Sequence, residues 1–126
     1  QMPDINECAF GKFESAPYND IDPDSEYNLW LKNREETDNH FAESFTVFER
    51  RIDRGFSAVI SDAEKNGFDT VAIVGHGGTY MSLIDMYSYP HVDYEDSVLR
   101  HGCMARLIYD TEKKTLTLDG FYPEKQ

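Results

Sequence analysis

Thr70-Val71-Ala72-Ile73-Val74-Gly75-His76-Gly77-Gly78-Thr79-Tyr80 is the stretch that decides the reading of this chain. Thr70 to Val74 is an apolar, largely β-branched run without alternation, the pattern of a central strand buried on both faces in a parallel sheet. Gly75 to Gly78 breaks the run. Thr79 to Tyr87 then reads as a helix with Met81, Leu83, Ile84 and Met86 available for a core. A strand, a glycine turn and a helix in that order predict an α/β fold.

The turn is also the first candidate site. His76 is expected at the carboxyl end of a buried strand, the edge at which open α/β sheets bind ligands. Gly77 and Gly78 let the backbone approach a ligand closely. The N–H groups and dipole of the following helix favour an anion such as a phosphate or a carboxylate. A histidine there can donate a hydrogen bond, carry a proton or attack phosphorus; a glycine turn with a structural histidine is the plain alternative. No Gly-Lys-Ser/Thr follows, so the turn is not a P-loop, and dinucleotide-fingerprint spacing is missing. His-Gly-Gly is similar to the oxyanion loop of esterases, but no serine sits in a Gly-x-Ser-x-Gly elbow.

Upstream lies the strongest helix signal. Phe45, Phe48, Ile52, Phe56, Val59, Ile60 and Ala63 fall mostly at steps of three and four. Thr46-Val47-Phe48-Glu49 fits a capping box, Ser44 is a rival cap, and Asn66-Gly67 is a stop. Arg50, Arg51 and Arg54 are read as mainly solvated, with one able to face a substrate. Asp24-Ser25 caps a shorter helix through Asn33 with Tyr27, Trp30 and Leu31 on one face, and Asn33 to Asn39 reads as loop. Met2 to Asp22 reads as ordered loop with at most a short strand. Pro90 to Glu95 is loop, and Cys103 to Tyr109 and Thr115 to Leu118 are strands about a turn at Asp110 to Lys114.

Asn6-Glu7-Cys8-Ala9-Phe10-Gly11-Lys12-Phe13-Glu14 is the second notable stretch. Glu7 or Glu14 would serve as a general acid if burial raised its pKa; surface acids on a loop are the plain alternative. Arg100-His101-Gly102 precedes a strand instead of ending one, so His101 is expected at a pocket rim or in solvent. His40 lies in a charged loop. His91 and Asp93 are two potential metal ligands without a companion, so no metal is expected. Cys8 and Cys103 make no disulfide framework and read as small buried hydrophobes.

The 126 residues suit one domain, 1–126, and can bury a core unaided. The formal net charge is −12, with only 12 Lys and Arg and no cluster of them. That field repels nucleic acid and anionic membranes. No apolar run approaches the roughly 20 residues of a membrane helix. The N-terminus lacks the basic and apolar regions of a signal peptide, and a reducing cytoplasmic setting is expected.

Taken in order, these pieces resemble a known family. Val74-Gly75-His76-Gly77-Gly78 after a strand resembles the second histidine motif of the histidine phosphatase superfamily, the phosphoglycerate mutase-like fold. Asn6 to Glu14 resembles the stretch around that family's acid glutamate, Glu43-Ser44 before a long helix with Arg50 or Arg51 resembles its Gly-Glu-Ser helix start, and Cys103 to Tyr109 resembles its late strand. The Phe-Gly-x-Phe-Glu style is similar to the α-ribazole phosphatase-like branch. Gly75 stands where the family usually has Ser, and Ala42 where it has Gly. Cys8 stands where an arginine often follows the glutamate, which favours a phosphatase over a mutase.

The resemblance implies a three-layer α/β/α fold, incomplete at the N-terminus, because the family opens with a strand ending in an Arg-His-Gly whose histidine takes the phosphoryl group. The chain is therefore expected to be the C-terminal portion of a metal-independent phosphomonoester hydrolase, nearly inactive alone. The implied roles are His76 as catalytic and phosphate-binding residue, Gly77 as phosphate-binding residue through its N–H, and Glu7 as catalytic acid. The implied partner is a small phosphorylated metabolite, with no cofactor, and an open sheet edge leaves room for a homodimer. The competing expectation is an inactive interaction or binding domain of the same fold.

Overall fold

The structure, a computed structural model, describes residues 1–14, 25–32 and 42–123. In chain order, α1 spans Glu26–Lys32, α2 Phe45–Asn66, α3 Gly77–Tyr87, β1 Met104–Asp110 and β2 Thr115–Tyr122. Short 3-10 turns lie at Pro3–Ile5, Gly11–Phe13 and Tyr94–Ser97. His40 and the whole Asn33–Asn39 loop reading lie outside the described residues, as do the side chains of Trp30 and Leu31 and part of the Met2–Asp22 reading.

Helix α2 organises the molecule. Ser44 caps it, its Oγ accepting the Val47 N–H at 3.2 Å. Of the two candidate caps, Ser44 is the one used and the Thr46 capping box does not form, because the helix has already begun at Phe45 and the nearer hydroxyl takes the free donor. Gly67 ends it in the left-handed conformation at φ 68°, with its N–H reaching the Ala63 and Glu64 carbonyls. One face buries Phe48, Ile52, Phe56 and Ala63. Phe48, Ile52 and Phe56 form one core cluster with Leu83 of α3 and Leu116 of β2. Burying each such side chain contributes about 1.5–3 kcal/mol. Phe56 also meets Tyr87 and Tyr109, ring centroids 4.9 and 5.7 Å away.

Gly55 lets the N-terminal segment close on this helix. A Cβ there would stand 2.6 Å from Ile5 Cγ2 and 2.9 Å from Asp4 Cβ. Strands β1 and β2 pair antiparallel. Their turn is closed by Asp110, whose Oδ1 accepts the N–H groups of Glu112 and Lys113 at 3.0 and 2.9 Å. The Tyr89 N–H donates to the Leu116 carbonyl at 2.8 Å and ties the end of α3 to this hairpin.

One expectation is overturned. Thr70 to Val74 forms no strand, and all five residues are exposed, Val74 at 95%. A central strand needs a neighbour on each edge, and among the described residues no strand lies beside this run. An open groove of about 700 Å³ runs along it instead, against Ala58, Val59, Asp62 and Ala63 of α2. The resulting architecture is α/β, helices with a two-stranded antiparallel sheet.

Candidate functional site

His76 is the residue immediately before α3, in extended backbone at φ −108° and ψ 169°. Its side chain is exposed and makes no capping hydrogen bond. The α3 N-terminus thus presents its first N–H groups without the usual Ser, Thr or Asp cap. A carboxylate from far away in sequence supplies the charge complement. Glu7 Oε2 accepts the Gly78 N–H at 3.0 Å, and Glu7 Oε1 accepts the Cys8 N–H at 2.8 Å. Such an acceptor is favoured twice there, by the free donor and by the helix dipole.

Glycine at 78 is what permits this approach. A Cβ there would lie 3.1 Å from Glu7 Cδ and 3.3 Å from Oε2, with Oε1 closer still. Thr79 adds a second tie, its Oγ1 donating to the Ile5 carbonyl at 3.1 Å. At Gly77 a Cβ would meet only Tyr80 Oη, 3.7 Å away. The Gly77 N–H has no acceptor among the described residues. Tyr80 donates to the Leu99 carbonyl at 3.3 Å. Burial pushes the Tyr80 hydroxyl up, and the nearby Glu7 charge adds to that.

The structure therefore brings Glu7, His76, Gly77 and Gly78 to one helix end. It does not bring Glu14 there. Glu14 Oε1 accepts the Phe10 N–H at 2.9 Å and closes its own turn. His101 is exposed in the turn before β1, as expected. The groove along Thr70 to Val74 includes neither Glu7 nor His76. It follows the unpaired run, whereas the convergence of donors and acid at the α3 N-terminus is the candidate site.

Arg51 departs from the expected solvated face. Its guanidinium turns inward onto Glu43, with Nη2 2.7 Å from Glu43 Oε2, and onto the backbone carbonyls of Asp4, Asn6 and Glu7. Burial pushes the Glu43 carboxyl up, but hydrogen bonds from Arg51 and Ala9 N–H and the Arg51 charge outweigh it. The net effect holds Glu43 below its ordinary value. Arg54 is the exposed neighbour, paired to Asp4 at 2.9 Å. Cys8 is half-buried, its thiol 3.8 Å from the Glu43 carbonyl. In the sequence, Glu43-Ser44 and Arg50 or Arg51 stood out only through their resemblance to a Gly-Glu-Ser helix start, which did not pair Arg51 with Glu43.

His91 lies 3.1 Å from Asp93 and 3.5 Å from Asp85, an acid from α3 that sequence reading did not bring to it. Ligand atoms of the three lie within 4.8 Å of one another. Contact of an exposed imidazole with two carboxylates accounts for that grouping.

An α/β chain with a carboxylate and a histidine at an uncapped helix N-terminus has the parts for acid–base work on an anion. The chain matches the family model described as histidine phosphatase superfamily (branch 1) over residues 1–119. It belongs to that superfamily. Comparisons with curated proteins and with solved structures gave no match. Among the described residues, no helix is long and apolar enough to cross a membrane.

Proposed function

We propose that the protein is a phosphomonoester hydrolase working through a phosphohistidine intermediate, its nucleophile a histidine outside these 126 residues. The observation that carries this reading is the Glu7–Gly78 contact at 3.0 Å. It joins a carboxyl group, the kind of side chain that can exchange a proton, to a helix end with free N–H groups beside His76. In the first step the nucleophilic nitrogen bonds to phosphorus and the ester P–O bond breaks. Glu7 gives its proton to the leaving oxygen. In the second step Glu7 takes a proton from water, the water oxygen bonds to phosphorus, and the P–N bond breaks. His76 and the Gly77 N–H hold the phosphoryl oxygens and stabilise their growing charge.

The finer parts of the reading rest on the motifs, length and composition of the chain. They are the α-ribazole phosphatase-like branch, a single domain with three α/β/α layers, a small phosphorylated metabolite as substrate, a cytoplasmic setting and a homodimer formed through an open edge. Cys8 after Glu7 supports phosphatase over mutase. The exposure of Val71, Ile73 and Val74 favours a second reading, an inactive interaction domain of the same fold.

Hydrolysis of p-nitrophenyl phosphate by the full-length protein decides between them. The first reading expects Glu7→Gln and His76→Ala each to lower kcat by about 100-fold or more, and acid quenching to trap a phosphoenzyme. Turnover absent from the wild type, or untouched by both substitutions, would remove it.

A further inference from the structure

The geometry points to Arg51, working with Glu43, as the positioning residue that sets where the Glu7 carboxylate stands at the α3 N-terminus. The inference deepens the phosphomonoesterase reading and rests on it for its kinetic arm.

Glu7 sits on a segment that cannot place it unaided. After the turn at Pro3–Ile5, residues 6–10 belong to no helix or strand. Proton transfer tolerates little error in the position of its acid, and a misplacement of about 1 Å costs on the order of 100-fold. Something rigid has to hold the segment. Arg51 projects from α2 beside Ile52, which is completely buried in the core.

The donors of Arg51 account for the hold. A guanidinium carries five N–H groups in a fixed fork. Here Nε donates to Glu43 Oε1 at 2.7 Å and Nη2 to Glu43 Oε2 at 2.7 Å. Nη1 donates to the Asp4 carbonyl at 2.9 Å and the Asn6 carbonyl at 2.7 Å. The second Nη2 hydrogen goes to the carbonyl of Glu7 itself at 2.8 Å. Every donor is used within the protein, so Arg51 has none left for a phosphate and is not a catalytic residue. Glu43 completes the clasp: its Oε2 accepts the Ala9 N–H at 3.0 Å, and its own N–H donates to the Ala9 carbonyl at 2.7 Å. The backbone is therefore gripped on both sides of Glu7. A lysine would keep the charge but has three donors on one nitrogen and cannot span these acceptors.

The test is Arg51→Lys in the full-length protein, alone and combined with Glu7→Gln. Arg54→Lys, which alters only the exposed pair with Asp4, is the control. Arg51→Lys is expected to lower kcat for p-nitrophenyl phosphate by about 10- to 100-fold while KM and vanadate affinity stay within about threefold. In the Glu7→Gln background it should lower kcat no further. A mere fold-stabilising role predicts an equal loss in both backgrounds, and that result overturns the inference. The second arm needs no activity. Amide exchange at Gly78 should accelerate about tenfold or more in Arg51→Lys, because the Glu7 acceptor leaves it. An unchanged Gly78 amide overturns the positioning role even if the enzyme reading stands. A wild type without turnover sinks the enzyme reading but leaves this arm decisive. Should Arg51→Lys fail to fold, Glu43→Gln, which keeps one acceptor, should show the same kinetic and exchange changes at smaller size; no change in it counts against the inference.

Discussion

Gly78→Ala separates the fold from the site more cleanly than any other single change. The added Cβ would lie 3.1 Å from Glu7 Cδ and closer than that to Oε1. Gly78 is helical and has no positive φ, so alanine meets no backbone strain. The obstacle is the end of a flexible side chain, which can swing away into solvent. Its departure loses the hydrogen bonds from both the Gly78 and Cys8 N–H groups, each worth about 1.5–3 kcal/mol. Replacing glycine with alanine in a helix returns up to about 1 kcal/mol. Net destabilisation should therefore be about 2–5 kcal/mol at most, measured by urea unfolding. Under the proposed function, activity should also fall by about 100- to 10,000-fold in protein that remains folded, because the acid group is removed from its post. Gly77→Ala is the matched control, since its Cβ meets only Tyr80 Oη at 3.7 Å. Near-normal phosphatase activity in Gly78→Ala would refute the assignment of the Glu7 position as the working one.

The Glu43 carboxyl is held below its ordinary value in the fold, so the unfolded chain binds its proton first as pH falls. Stability from this group is complete above the unfolded value, about 4.3, and is lost as pH drops through the lower folded value. Glu43→Gln should lower stability at neutral pH and flatten that acid slope in denaturant titrations; an unchanged slope would count against the pairing. Ile52→Ala removes a fully buried side chain from the centre of the core and should cost about 2–5 kcal/mol by urea unfolding; a cost under about 1 kcal/mol would mean that α2 packs elsewhere. Ser82 is fully buried, and its Oγ has no hydrogen-bond partner among the described residues. Ser82→Ala should leave stability unchanged or raise it by about 1 kcal/mol, and a clear drop in the melting temperature would reveal a partner for that hydroxyl.

Much of the local structure was legible from spacing alone. Apolar residues three and four apart set the buried face of α2, and Gly67 marks its end because glycine takes the left-handed turn without penalty. The β1–β2 hairpin follows from Asp110 and its turn, and α3 follows from the apolar run after the glycines. The choice between Ser44 and Thr46 as cap was open, since both hydroxyls sit near the helix start and only backbone geometry selects one.

The Thr70–Val74 run shows where composition misleads. A β-branched apolar run states a preference for a sheet, but a strand exists only where a neighbour shares its hydrogen bonds. The site divides along the same line. Gly77 and Gly78 after His76 announce an uncapped helix end, because that information lies within a few residues of chain. The acid that meets it is 71 residues away, and the Arg51 clasp spans 44 to 47 residues. Periodicity carries nothing about such distances; likeness to a family singled out Glu7, and the docking of Asp4 and Ile5 onto Gly55 of α2 brings it to the helix end. Local sequence determined which helices form and where they stop, because those preferences act within a turn or two of backbone. Tertiary packing alone decided that Glu7 stands on Gly78 and that Arg51 holds it there.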